Sequence, residues 1–326
     1  MSKRPGFATM FAIAAVVAVC IGCGNNAPAA REHTRTFLAM DTVVVLTAVG
    51  DNAEAALSAA ETRLRELESM ADMHRADSDI GKLNAAAGLA AVPLHPEIYR
   101  ILTIAQEYYR RTDGAWDVTV APLTTLWQER TEGGELPTDE EIEQAQALVG
   151  GDKMVLDAER QTAYLPLAGM AVDLGGIAKG YALDEVRHIY ENYGIESGLI
   201  NLGSSSVCAV GQHNDRPWRI GIRNPRAATD EPARVISLTS ATLATSGSYE
   251  RGREINGEWY HHIINPHTGY PAAVNCTSVT VIVGNDDPNA GMAADALATA
   301  AFIVGHEQIA PLLAEYKAEI VTVEKN

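Results

Sequence analysis

An acid, two glycines and a lysine stand together in "DLGGIAKG", residues 173–180. An apolar run ends on Asp173, and a helix-like pattern opens at about Gly176. A helix start offers free N–H groups and a positive dipole end, both suited to an anion. Glycine lets a ligand approach the backbone closely, and Lys179 in the first turn could reach a phosphate. This is not a P-loop, because Tyr181 stands where that motif requires lysine. A strand-to-helix turn that needs small residues for packing explains the stretch equally well. A second stretch, "ADALATA", sets Asp295 and Thr299 four residues apart on one helical face. Carboxylate and hydroxyl are hard oxygen ligands that suit Mg2+ rather than zinc; an early-helix acid and a core threonine are the plainer reading. In "EWYHHIINPHTGYP" (258–271) a strand alternation turns His261 and His262 to opposite faces. At most one of them shares a site, where it could take a proton from a hydroxyl. "TSGSYER" (245–251) is either a ligand-side turn or an ordinary hairpin turn.

Elements must bring these stretches together. "MDTVVVLTAV" (40–49) predicts a strand, and the helix after it starts at a cap on Asp51 or Asn52 and turns Leu57, Leu64, Leu67 and Met70 to one face. A second helix runs from Pro96 towards Gly114. A third opens on the capping box of Thr138 and Glu141 and stops at Gly150. Short strands follow in "KMVLD", "TAYLPL" and "AGMAVDL", then a helix from Gly176 to about Tyr193, ended by Gly194. Further strands read as "GLINLG", "SVCAVG", "WRIGIRNP", "RVISLTS", "EWYHHIINP" and "TSVTVIVG". A helix in "NAGMAADALATAAFIVG" and another near 306–318 complete the series. The strands cluster instead of alternating with helices, which predicts an α+β fold with a mostly antiparallel sheet.

The chain has 326 residues, 47% hydrophobic and 21% charged, enough for a real core. Its net charge of −17 argues against nucleic acid, which needs a basic footprint. Lys3 and Arg4 precede the apolar stretch "FATMFAIAAVVAVCIGC", the pattern of a signal peptide. Its end, Ile21-Gly22-Cys23, resembles a bacterial lipobox with Cys23 as the lipidated residue, although Cys20 stands where Leu is usual. The expectation is a signal peptide over 1–22, a tether over 23–35 and a domain over 36–326, held on a membrane by acyl chains. Secretory cleavage near Ala30 or an uncleaved anchor are the alternatives. Cys208 and Cys276 could pair in an extracytoplasmic compartment or remain buried thiols.

Taken in order, "MDT", "GAWDVTVAPL", "DLGGIAKGYALDEV", "TSGSYER", "HIINPHTGYP" and "DALATA" strongly resemble the ApbE family of FAD:protein FMN transferases, over about residues 36–324. The resemblance implies an ApbE-like (T-fold-like) architecture and a Mg2+-dependent reaction. FMN passes from FAD to a threonine hydroxyl of a target protein, and AMP is released. It implies FAD contacts at Met40, His74, Ala115, Trp116, Asp117, Asp173, Lys179 and Ile264. The metal would lie on Asp295, Thr299 and the backbone oxygen of Gly176, with His262 as the base. Implied partners are a flavin acceptor from a membrane redox complex and, through Cys23, the periplasmic side of the inner membrane. His74 replaces the family's frequent tyrosine, Ser204 follows Gly203 where "NLGG" is usual, and Ala298 replaces a second acid found in some members. Two other readings remain: an FAD pyrophosphatase yielding FMN and AMP, and a flavin-binding lipoprotein without catalysis.

Overall fold

Strands β1 (Glu32–Ala39) and β2 (Thr42–Val49) form a hairpin, and α1 (Ala53–Ala71) and α2 (Asp79–Ala85) follow. The computed structural model describes residues 31–325 apart from 226 and 228–230, so Cys23 and the leader lie outside the described residues. After β3 (Val92–Pro93) come α3 (Pro96–Arg111), a 3-10 turn at Val118–Val120, α4 (Ala121–Glu132) and α5 (Asp139–Gln146). Then come β4 (Val155–Asp157), β5 (Thr162–Tyr164), α6 (Ala178–Asn192), β6 (Ser197–Leu202), β7 (Ser206–Val210), β8 (Trp218–Arg223) and β9 (Pro232–Leu238). The chain closes with β10 (Ala241–Gly247), β11 (Gly252–Ile255), β12 (Glu258–His261), β13 (Cys276–Gly284), α7 (Ala290–Val304), α8 (Ala310–Glu315) and β14 (Glu319–Glu324).

Seven strands form one antiparallel sheet in the order β1-β2-β6-β7-β10-β13-β14. Side chains alternate across it, as a two-residue period requires. Cys208, Ala244, Val279, Val281 and Val283 enter the main core with α1, α6 and α7. Val207, Ala209, Leu243 and Ile282 face the other way and pack under the β8–β9 hairpin through Trp218 and Leu238. α7 is buried nearly all round, from Ala290 to Ile303. Its run of alanines suits a helix enclosed by neighbours, and it lies against both α6 and the β10–β13 pair. The α+β architecture with a mostly antiparallel sheet is therefore the one read from the sequence.

Several local expectations change. β1 starts at Glu32, inside the stretch expected as tether, and pairs from Glu32↔Val49 onward. "AGMAVDL" forms no strand: the Asn84 side chain takes up both the N–H and the C=O of Val172. α6 starts at Ala178 instead of Gly176, because the Gly175–Gly176 turn holds the preceding backbone out of the helix. Asn52 does not cap α1 through its side chain, which donates to the Tyr193 carbonyl instead. The capping box of Thr138 and Glu141 and the proline at the start of α3 are present as read. Cys208 and Cys276 are free thiols, on strands separated by β10. Among the described residues no helix is long and apolar enough to cross a membrane.

Candidate active site

One cleft of about 460 Å3 opens where the β1–β2 turn, the end of α1, the start of α6, the middle and end of α7 and the β10 and β12 ends converge. That volume is in the range of small-molecule sites. Met40, His74, Ala115, Trp116, Asp117, Asp173, Gly176, Lys179, His262, Ile264, Asp295 and Thr299 all line it. Residues separated by more than 250 positions thus meet on one surface.

Each is held for a physical reason. Met40 and Asp41 form the two-residue turn between β1 and β2, both with positive φ (54° and 55°). Hairpin turns of that kind usually take glycine, asparagine or aspartate, so Met40 is the unusual occupant and marks strain held at a site. Glu68 secures the turn by accepting the Met40 N–H at 2.7 Å. Trp116 is buried, edge-on to Tyr108, and its indole N–H side packs beside Gly176, where a Cβ would come within 3.3 Å. The Asp117 carboxylate turns inward and accepts from the Thr119 amide and hydroxyl and from the Gly151 amide. It fixes the loop that presents Ala115 and Trp116. Burial still pushes its carboxyl above the usual range, against those three donors.

His262 and His261 separate as the strand alternation requires. His261 is buried, with Nε2 on the Ala272 carbonyl, Nδ1 accepting the Ile263 N–H, and its ring against Phe302. His262 faces the cleft. Its Nδ1 lies 3.1 Å from the Arg251 carbonyl. A carbonyl only accepts, so Nδ1 carries the hydrogen and Nε2 keeps a free lone pair. By surface area His262 is exposed at the cleft mouth, while the protein atoms gathered around its ring disfavour the charged form. Burial lowers its pKa to about 4, helped by the charges of Arg251 and Lys179, while the bond to Arg251 opposes the shift.

Lys179 donates to Ser205 Oγ at 2.8 Å. Asp295, 7% exposed, accepts the Gly180 N–H on Oδ2 at 2.9 Å. Burial raises its pKa, opposed first by Lys179 and then by that N–H. One turn on, Thr299 Oγ1 lies 3.3 Å from the Asp295 carbonyl and 3.0 Å from Ser246 Oγ. Among the described residues no three His, Cys, Asp or Glu side chains gather as a metal cage. Asp295, Thr299 and Gly176 line the same cleft and could offer a carboxylate, a hydroxyl and a backbone oxygen, an all-oxygen set with one charge. That donor set fits Mg2+, which completes its shell with water and phosphate oxygens.

The sequence profile of the ApbE family matches residues 40–322. The chain belongs to the ApbE family. It is 31% identical over 321 residues to the FAD:protein FMN transferase of Treponema pallidum, covering 92% of this chain and 87% of that protein. With the Escherichia coli K12 FAD:protein FMN transferase it shares 29% over 252 residues, 76% of this chain and 70% of the other. The ApbE protein of Thermotoga maritima superposes with a TM-score of 0.81 at 30% identity, covering 90% of this chain and 94% of that one. The flavin transferase ApbE of Vibrio cholerae gives 0.77 at 26%, covering 91% and 94%.

Two of the departures from the ApbE pattern fall at distinct places, His74 and Ala298. His74 does line the cleft, with its amide donating to Asp72 at 2.8 Å. Ala298 is fully buried in the main core and is not part of the cleft wall, so the acid it replaces bears on packing more than on this wall. Sequence reasoning missed Ser205, Ser246, Glu250 and Arg251, all of which line the cleft. The last three lie within "TSGSYER", whose hydroxyls and glycine were the available signal. Ser205 gave none, because its role depends on Lys179, 26 positions away.

Proposed function

We propose that this chain transfers the FMN half of FAD to a threonine hydroxyl of an acceptor protein, in a Mg2+-dependent reaction that releases AMP. The observation that carries this reading is the convergence of His262 Nε2, Lys179, Asp295 and Thr299 on one cleft. The threonine oxygen attacks the phosphorus of the FMN half. The bridging P–O bond breaks, AMP departs, and the threonine proton passes to His262 Nε2. The Gly175 N–H is held by the Asp173 carboxylate at 2.8 Å, so the glycine turn gives the pyrophosphate room and the α6 dipole end, and Lys179 offsets its charge. Asp295, Thr299 and the Gly176 carbonyl would hold the Mg2+, which when bound neutralises charge on the phosphate oxygens. Trp116, Met40 and His74 bound the space left for the flavin. Cys23 would anchor the enzyme on the periplasmic face of the inner membrane, where an acceptor subunit of a membrane redox complex presents its threonine.

The test mixes residues 31–326 with FAD, Mg2+ and a threonine-bearing acceptor domain, with and without EDTA. Flavin fluorescence on the acceptor in a denaturing gel, with AMP, both lost in EDTA, is the expected result. AMP and free FMN across a panel of acceptors, none of them labelled, would make the chain a pyrophosphatase. Bound FAD that survives EDTA with no AMP would make it a binding protein.

A further inference from the structure

We infer that Asp184, outside the cleft, is a positioning residue that sets Asp295 and Thr299 over the start of α6. This rests on the reading of Asp295 as a Mg2+ ligand. The cleft face of α6 carries Lys179, and that of α7 carries Asp295 and Thr299. The two helices meet where each has a glycine. A Cβ on Gly180 would lie 2.3 Å from the Gly291 oxygen, and one on Gly291 2.1 Å from the Gly180 oxygen. Backbone therefore touches backbone at the crossing, and a small slide of one helix moves the ligands as a unit.

Neither helix has a cap of its own there. Ile177 before α6 and Asn289 before α7 make no side-chain cap bond. Each helix is capped by a carboxylate of the other. Asp295 on α7 accepts the Gly180 N–H of α6 at 2.9 Å. Asp184 on α6 accepts the Gly291 N–H on Oδ1 at 2.8 Å and the Met292 N–H on Oδ2 at 3.1 Å. Asp184 is 2% exposed and does not reach the cleft. Arg187 stands 3.7 Å from Asp184 Oδ1 and donates to the Pro288 carbonyl just before α7 at 3.0 Å. The exchange locks both the sliding and the rotation of α7 against α6. Asp295 already spends Oδ2 on α6, so only an exact seat for α7 leaves its other oxygen aimed into the cleft beside Thr299. Groups that orient metal ligands from behind set metal affinity.

The Asp184→Asn variant keeps the volume, retains one acceptor, and turns an N–H2 group towards one of the two α7 amides. Full-length protein would be compared with Asp184→Asn and Asp295→Asn in three measurements. These are thermal melting, Mn2+ binding followed by electron paramagnetic resonance in the presence of FAD, and the Mg2+ dependence of transfer. For Asp184→Asn, Mn2+ binding and half-saturating Mg2+ are expected to weaken by about tenfold or more. Turnover at saturating Mg2+ is expected to fall by less than about threefold, the split that separates metal placement from chemistry. A lower melting temperature with metal curves superimposed on the wild type would overturn the inference and leave Asp184 a structural cap. Asp295→Asn with unchanged metal dependence would instead remove the Mg2+ assignment on which it rests. If Asp184→Asn does not fold, Arg187→Lys carries the same test: it keeps the positive charge and loosens the hold on Pro288. Weaker metal binding is again expected, and unchanged metal curves overturn the inference.

Discussion

His262 offers the cleft one nitrogen, and its chemistry follows from what the other nitrogen does. With Nδ1 committed to the Arg251 carbonyl, Nε2 is the acceptor. With the pKa lowered to about 4, it is deprotonated at neutral pH. The acid limb of kcat/KM for transfer should therefore fall near pH 4, not near the ordinary 6.5 of histidine. A limb near 6.5 would show that burial does not govern this ring. Protons also link this residue to stability. Between about pH 4 and 6.5 the unfolded chain binds a proton at His262 that the folded chain does not, so its contribution favours unfolding increasingly as pH falls through that window. His262→Ala should slow transfer by about 10²-fold or more while FAD binding measured by fluorescence stays near wild type. Asp295→Ala should cost at least about 10²-fold in transfer at limiting Mg2+, the scale of losing one transition-state contact. Full activity under that condition would remove it from the metal site. Alone, each of these residues reads more readily as packing, and only the order of the ApbE-like motifs singled them out; the structure brings them to one cleft. Ser205 and Asp184 were not singled out, since their partners come from other elements and no local spacing links them.

At the scale of elements, the glycine contact between α6 and α7 decides whether the two halves of the site share one register. Gly291→Ala should destabilise the fold by about 1–3 kcal/mol, as overpacking against backbone generally does. Urea denaturation checks this. A wild-type midpoint would mean that the helices separate without cost. Gly194 makes the contrast, because it ends α6 with φ 69° and no atom within 4 Å of a Cβ. Strain there comes from φ alone and stays local. The sequence showed α1, α3, α5, α6 and α7 through apolar spacing and end signals, and most sheet strands through alternation. It hid β10, which is central to the large sheet, because "ATLATSG" is rich in small and hydroxyl residues and has little apolar contrast. Those residues are nevertheless required. Thr242, Thr245 and Ser246 bond to Asn285, Thr280 and Thr299, so the strand feeds the cleft as well as the sheet. "AGMAVDL" failed in the opposite sense: it alternates like a strand but has the Asn84 side chain as its neighbour in place of another strand.

For the molecule as a whole, charge bears on the capture of FAD, and the proposed attachment bears on the meeting with the acceptor. A chain of net charge −17 repels anionic FAD at a distance, so capture relies on short-range groups in the cleft, above all Lys179 and Arg251. Salt should then screen the general repulsion more than the local attraction, and FAD affinity should change little or improve slightly between low and physiological ionic strength. Attachment is the second constraint. Cys23, the residue proposed to carry the lipid, stands nine positions before Glu32, where β1 begins. β1 then runs directly to the Met40–Asp41 turn on the cleft wall. A strand rises about 3.3 Å per residue, so the eight residues of β1 carry the chain about 26 Å towards the cleft. Stable anchoring needs more than one acyl chain, because each buried CH2 contributes only about 0.8 kcal/mol. On the lipoprotein reading, Cys23→Ser would remove every chain at once. It should shift the protein from the membrane to the soluble fraction, measured by fractionation, while transfer to a soluble acceptor domain keeps its wild-type rate. Labelling of a membrane-embedded acceptor at equal enzyme amount should fall, because the high local concentration supplied by the shared surface is lost. Continued membrane retention of Cys23→Ser would place the attachment in the apolar leader itself, as an uncleaved anchor.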